Sequence, residues 1–396
     1  MNIETISWWS RIKHSLVNII VGIGLVIVTI GFIFWNENQS IKTKMSLLEA
    51  EKIIVQAPHH PIDESNNQKL VYTSGIASTK EDLVDTLLNV QLNAIKLERT
   101  VDMLQWKENA ETTITSHTGG SETQTTNYTY KQEWSSELID SSGFKDANEH
   151  QNPKSMPAKS ITQTAKKVTL GDFILNEELI SHISNFEEVT LEKDDVEQVK
   201  NTLSLPAHLV DNEIYVGLDP NHPQIGDLKI RLSAVYPEDV SIIAVQAGNQ
   251  FEPYRAKAGD DVMLLDVGQV SATQMIENAL LGNKILCWII RIACLIVLTV
   301  GYTMILNPLV VVADVLPFIG SLVGFGTDFI SVIAGLSTWG MVTAIAWFAV
   351  RPMFSISIIA ITALVIFLMS QRKKRQLENE PIDQEKVLAK KQNLDK

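Results

Sequence analysis

Four stretches of the chain are too apolar to face water, and one long polar stretch separates the first from the others. Residues 16–35, LVNIIVGIGLVIVTIGFIFW, run without a charge. At about 1.5 Å per residue, such a run crosses a hydrocarbon core of roughly 30 Å as one helix. Residues 285–306 form a second run, with Arg291 inside it. Residues 330–350 and 353–370 form a third and a fourth, parted only by Arg351 and Pro352. The pattern predicts an integral membrane protein with four transmembrane helices. The first run is longer than a signal-peptide core, and WNENQS follows it without a small-x-small cleavage site, so it reads as an uncleaved anchor.

Between the first two runs, residues 36–284 change period. Ile41, Met45 and Leu48 keep helical spacing, which predicts that the first helix continues out of the membrane. Beyond them come short alternating runs such as EIYVG (213–217), DLKIRLSAV (227–235) and DVSIIAVQAG (239–248). KLVYTSGIAS (69–78) reads as strand, turn and strand start, and residues 90–108 as one alternating run. Helices are expected at 176–183 and at 271–281, the latter leading into the second span. The fold class is a membrane protein of α+β type, with a large, mostly β domain between helices 1 and 2.

Charge orients the chain. Arg11 and Lys13 precede the first span, and QRKKR (371–375) follows the fourth. Basic residues beside a span favour the cytoplasm, and four spans return both ends to one side. Residues 1–15 and 371–396 are therefore expected in the cytoplasm and 36–284 in a periplasm or lumen. Trp8, Trp9 and Trp35 suit the interfacial belt. The segment 307–329 is apolar but broken by Pro308, Asp314, Pro317 and Asp328. It reads as an interfacial or re-entrant cytoplasmic loop. An extra span is the alternative, which would move the QRKKR cluster outside. Mean hydropathy is +0.07 with 20% charged residues, a mixture that fits apolar spans joined to a polar domain. Residues 36–284 hold 21 basic and 38 acidic side chains, net −17, a surface that repels nucleic acid. Both cysteines, Cys287 and Cys294, lie in the second span, so the polar domain relies on no disulfide.

One polar stretch stands out: YKQEWSSELIDSSGF (130–144). Upstream, Gly119 and Gly120 form a hairpin turn signal. Centring the turn on that pair sets Trp106 opposite Trp134 as a cross-strand pair. The distal Thr/Ser-rich part of the arms is expected as a loop.

TVDMLQWKE (100–108), YTYKQEWSSELIDSSGF (128–144), HQNPKSM (150–156) and HPQIGDLKIRLS (222–233) resemble the LUMA family, transmembrane protein 43 and its bacterial relatives. The Arg351-Pro352 link and the order of one span, a large domain and three spans also fit. The resemblance covers nearly the whole chain. It departs at the ends, where the N-terminus is short and the tail after Arg375 long. It implies a protein of the endoplasmic reticulum and inner nuclear membrane in animals, and of the inner membrane in bacteria. It further implies self-association, organisation of membrane protein complexes and no established enzymatic activity.

Candidate chemistry is sparse. HExxH, GxSxG and GxxxxGK[ST] are absent. HHPIDE (59–64) offers two imidazoles and two carboxylates but reads better as a loop than as a metal site. In EWSSE, Ser135 and Ser136 lack a nearby base. HQNPKSM reads as a turn around Asn152-Pro153. No catalytic, cofactor or metal site is expected, and the enzyme class is excluded from the reading. Arg291, Asp314, Asp328 and Arg351 are charges in or beside apolar segments, where they mark a pathway or an ion pair. Arg291 alternatively snorkels to the outer interface. Gly320, Gly324, Gly335 and Gly340 are small residues that permit close helix approach. The leading expectation is a non-enzymatic scaffold in the lipid bilayer, a homo-oligomer that also contacts other membrane proteins. The alternatives are a transporter or channel component and a ligand-sensing domain.

Overall fold

The computed structural model describes residues 1–350. The helix expected at 353–370, the tail 371–396 and Arg351 lie outside the described residues. In chain order, the elements used below are β1 (Asn2–Ile6), α1 (Trp8–Glu51), β2 (Leu70–Ser78), β3 (Lys96–Ser116) and β4 (Glu122–Ser135). There follow β5 (Ile161–Thr164), α2 (Glu177–His182), α3 (Lys193–Leu203), β6 (Ala207–Val210) and β7 (Glu213–Val216). The described residues end in β8 (Leu228–Val235), β9 (Glu238–Ala247), β10 (Gln250–Glu252), β11 (Leu264–Val267), α4 (Ala272–Ala313) and α5 (Pro317–Val350).

Among the described residues three helices, α1, α4 and α5, are long and apolar enough to cross a membrane. Each boundary has a local cause. Ser7 and Ser271 cap α1 and α4 by accepting from the backbone N–H of Ser10 and Gln274. Asn176 caps α2 in the same way through Leu179. The loop expected at 307–329 is a correction. Residues through Ala313 continue α4 across Pro308, and α5 begins at Pro317, so the break is only three residues long. Pro317 stands at a helix start, where its missing N–H costs nothing.

The β elements form two main sheets. One is antiparallel with the order β1-β4-β3-β8-β7-β6, and β5 joins it against β3. The other is built on β2 and β9, which pair from Glu238↔Ala77 to Val245↔Leu70. Short strands carry this sheet from β10 back to β2, so it closes on itself. The shared core holds Val101, Met103, Leu228 and Ile230 from the first sheet and Val71 and Ile242 from the second. The alternation read from the sequence is the physical cause, since successive side chains point to opposite faces.

Leu47 and Ala50 of α1 and Met275 and Ile276 of α4 pack on Leu70 and Ile243, which fixes the helices to the β body. From there α1 and α4 run antiparallel. They touch at Gly22 and Gly301, where a Cβ on Gly22 would lie 2.6 Å from the Gly301 carbonyl oxygen.

The β3–β4 hairpin is the unexpected element. It is paired from Met103↔Ser135 to Ser116↔Glu122, so the Thr/Ser-rich part is strand and not loop. Its tip reaches the far end of the helices. Residues 119–122 touch Trp8, Arg11 and Val315, which lie in or beside segments expected on the other side of the membrane. The reason is length. A strand the size of β3 extends roughly 70 Å, at about 3.4 Å per residue, and α1 is about 1.5 Å per residue long.

Candidate functional site

The chemistry of the molecule is concentrated at the two ends of the helix bundle. At the end next to the β body, Arg291 of α4 meets Glu37 of α1. Its Nε and Nη2 donate to the two carboxylate oxygens at 2.6 and 2.8 Å. The two side chains are only 9% and 2% exposed, so the pair is bidentate and desolvated. Arg291 is thus locked within the bundle and does not snorkel outward. Trp347 donates its indole N–H to Glu37 at 2.9 Å, and Trp339 donates to the Arg291 carbonyl at 3.0 Å. The guanidinium also lies 4.8 Å from the ring centre of Trp288 and 5.6 Å from that of Trp347. One turn away, Asn36 donates to the Cys287 carbonyl. The residue that sequence reasoning missed is Glu37. The signal was present, since a carboxylate directly after an apolar run can face a basic residue in a neighbouring span.

At the opposite end, Arg11 ties three elements together. It reaches Asp314 in the α4–α5 turn at 2.5 Å and Glu122 of β4 at 2.6 Å. It also donates to the Gly120 carbonyl at 2.7 Å. The Gly119 N–H donates to the Val315 carbonyl at 2.9 Å, and the Trp8 indole donates to the Val311 carbonyl at 2.8 Å. Gly120 has φ +79, and a Cβ there would lie 2.2 Å from the Trp8 ring, so this position admits only glycine. β1 completes the clasp by pairing with β4 from Asn2↔Thr126 to Ile6↔Glu122. Asp328, by contrast, is exposed.

The hairpin glycines therefore sit where the sequence put them, in the turn. The tryptophan pairing is a correction. Trp106 stands opposite Gln132, and Trp134 opposite Leu104. The turn closes between His117 and Ser121, which shifts the register by two residues. Trp106 instead packs edge-on against His150, which stacks on Tyr130 at 3.7 Å. Asn152 brackets the Trp106 backbone by accepting from its N–H and donating to its carbonyl. Trp134 meets Tyr215, with the Lys229 ammonium 4.9 Å over its ring. HQNPKSM is thus a packing element of the hairpin base.

The remaining candidates have structural partners. Glu133 bridges Lys107 and Lys131, whose hydrogen bonds hold its carboxyl down at about 2. Ser135 turns back on Glu137. Burial, then the hydrogen bond to Asp227, pushes the Tyr215 phenol up. In HHPIDE, His60 pairs with Asp172, and no metal-holding group of three or more ligands occurs among the described residues. Of the four helix glycines, Gly335 faces Thr299 closely, Gly320 lies over Asp314, Gly324 meets Val310 loosely and Gly340 faces open space. The tightest small-residue contact, Gly22 with Gly301, was not singled out from sequence.

The chain is similar in sequence to known proteins over most of its length. The family described as Transmembrane protein 43 matches residues 103–352. Transmembrane protein 43 of Homo sapiens is 29% identical over 374 residues, 92% of each chain. The Mus musculus protein of that name is 28% identical over the same shares. A Drosophila melanogaster homolog is 28% identical over 61% of this chain and 64% of its own. No solved structure matches.

Proposed function

The chain belongs to the transmembrane protein 43 family, and on that premise we propose that it is a membrane scaffold. It self-associates and organises membrane protein complexes, without an enzymatic step of its own. The observation that carries this reading is the use made of the buried charges. Arg291 and Glu37 hold α1 to α4, while Arg11, Asp314 and Glu122 hold α1, the α4–α5 turn and the hairpin together. Charges arranged along a transport path would need open sides, and these are closed by partners. What remains outward is a broad apolar helix surface and a polar β body, the surfaces a scaffold presents to lipid and to other proteins. The body is assigned to the non-cytoplasmic side because Arg11 and Lys13 lie at the opposite end of α1.

The test is cross-linking with mass spectrometry in native membranes, with the mass measured in lipid nanodiscs. The scaffold reading expects cross-links between copies and a particle heavier than one chain. A monomer without cross-linked neighbours would remove it.

A further inference from the structure

The hairpin is fixed at both ends of the apolar helices. Its base joins the β body through β8, and its tip is clasped by Trp8, Arg11 and Val315. The apolar run 16–35 of α1 lies between those two levels. The arms between must therefore pass the same depth as the spans, although they are rich in Thr, Glu and Asn. At that depth backbone N–H and C=O groups find partners only in protein.

Several of these groups have none among the described residues. The closing bond from the His117 N–H to the Ser121 carbonyl fixes which residues of β3 turn toward β4. Odd-numbered ones do. Even-numbered ones turn away: Leu104 bonds Gly226 and Asp227, and Trp106 bonds Asn152. The alternation then points the backbone groups of Glu108, Ala110, Thr112, Ile114 and Ser116 outward. These groups meet no backbone neighbour among the described residues, because β8 stops at Met103 and β5 at Arg99. Residues Asn109 to Thr115 are exposed throughout. On the other flank of the same sheet, β1 bonds β4 through Asn2, Glu4 and Ile6, so Ile3 and Thr5 turn outward in their turn. Among the described residues, one molecule thus offers two unpaired edges at one level, on opposite sides of a three-stranded ribbon. Each carries an exposed isoleucine, Ile114 on one and Ile3 on the other. Open edges of this kind pair with a further strand.

We propose that the outer edge of β3 between Glu108 and Ser116 pairs with β1 of a second copy of this chain. Repeated head to tail, this contact joins the hairpins of an oligomer into one polar sheet, with the apolar helices between it and the lipid. The occupant is a second copy because one molecule carries both halves of the contact at matching depth. A head-to-tail contact closes into a ring when its rotation permits. The inference rests on the self-association proposed above and specifies the surface that makes it.

The test uses the full chain in membranes. Two differently tagged copies are co-expressed, one carrying Ile3→Cys and the other Glu111→Cys, Thr113→Cys or Thr115→Cys in turn. These three share the face of Ile3, since Ile3 and Thr113 both stand at Thr125. A short bismaleimide is expected to give a dimer bearing both tags at one or more of the three positions. Ile3→Cys paired with itself is expected to give at least ten-fold less. Thr112→Pro removes an outward N–H that has no partner among the described residues, so the lone molecule keeps its fold while the contact between copies is lost. Circular dichroism checks that fold, and should the variant misfold, the cross-linking arm decides. An oligomeric wild type without a mixed-tag dimer at any of the three positions would overturn the edge contact and leave the scaffold reading standing. Cross-links from these cysteines only to a different protein would overturn it equally. A wild type that is monomeric in membranes would overturn both.

Discussion

The ion pair of Glu37 and Arg291 shows how one residue decides the character of a helix. Both groups are buried; Glu37 also accepts from the Trp347 indole, and the Arg291 guanidinium lies over the rings of Trp288 and Trp347. Removing one partner leaves an uncompensated charge in a low-dielectric setting, which typically costs about 3–5 kcal/mol. Replacing both with apolar residues of similar size removes the desolvation penalty along with the attraction. Arg291→Met is therefore expected to lower the thermal midpoint in nanodiscs sharply. The double variant Glu37→Met/Arg291→Leu is expected to recover most of that loss. If Arg291→Met alone is as stable as the wild type, the pair does not hold α1 to α4.

At the level of elements, the tightest joint is the crossing of α1 and α4. Gly22 meets Gly301 and the side chain of Ile305 so closely that a methyl group has no room. Overpacking of this kind costs about 1–3 kcal/mol. Gly22→Leu is expected to part the two helices, lower the stability by that amount and so lower the midpoint, whereas Gly24→Leu, which faces open space, is expected to be neutral. A melt that ranks the two variants equally would count against the joint. The same comparison shows what was legible in the sequence. Apolar runs and period-two alternation placed α1, α4, α5 and most strands, because those signals reflect burial directly. The hairpin turn was legible from Gly119-Gly120, but its register was not. Register depends on which atoms close the turn, and a shift by two keeps every side chain on its face. β1 was missed because a five-residue strand at a chain end carries no periodicity of its own and forms only against β4. The break at Asp314 was read as a long loop because two prolines and two aspartates resemble loop punctuation. One proline starts α5, and one aspartate is held by Arg11.

For the whole molecule, the question is what makes a β body, a hairpin and a helix bundle act as one piece. Among the described residues the hairpin touches the bundle firmly only at its tip, and the tip is held mainly through Arg11. That side chain is 9% exposed and serves Asp314, Glu122 and the Gly120 carbonyl together. Loss of its charge leaves the buried Asp314 and the partly buried Glu122 carboxylates facing each other with no cation between them, a repulsive arrangement. The backbone bond from Gly119 to Val315 and the short β1–β4 ladder are then too few to hold the tip closed. Local opening follows where buried apolar contacts are sparse, and the arms beyond Glu108 are largely exposed. Arg11→Gln is therefore expected to raise amide exchange at residues 2–6 and 117–126 by more than ten-fold in nanodiscs. Val240 and Ile242, fully buried in the second sheet, should exchange as in the wild type. A uniform rise across both regions would mean that Arg11 supports the global fold instead of the clasp. No change at the tip would mean that the hairpin holds its position without the bundle.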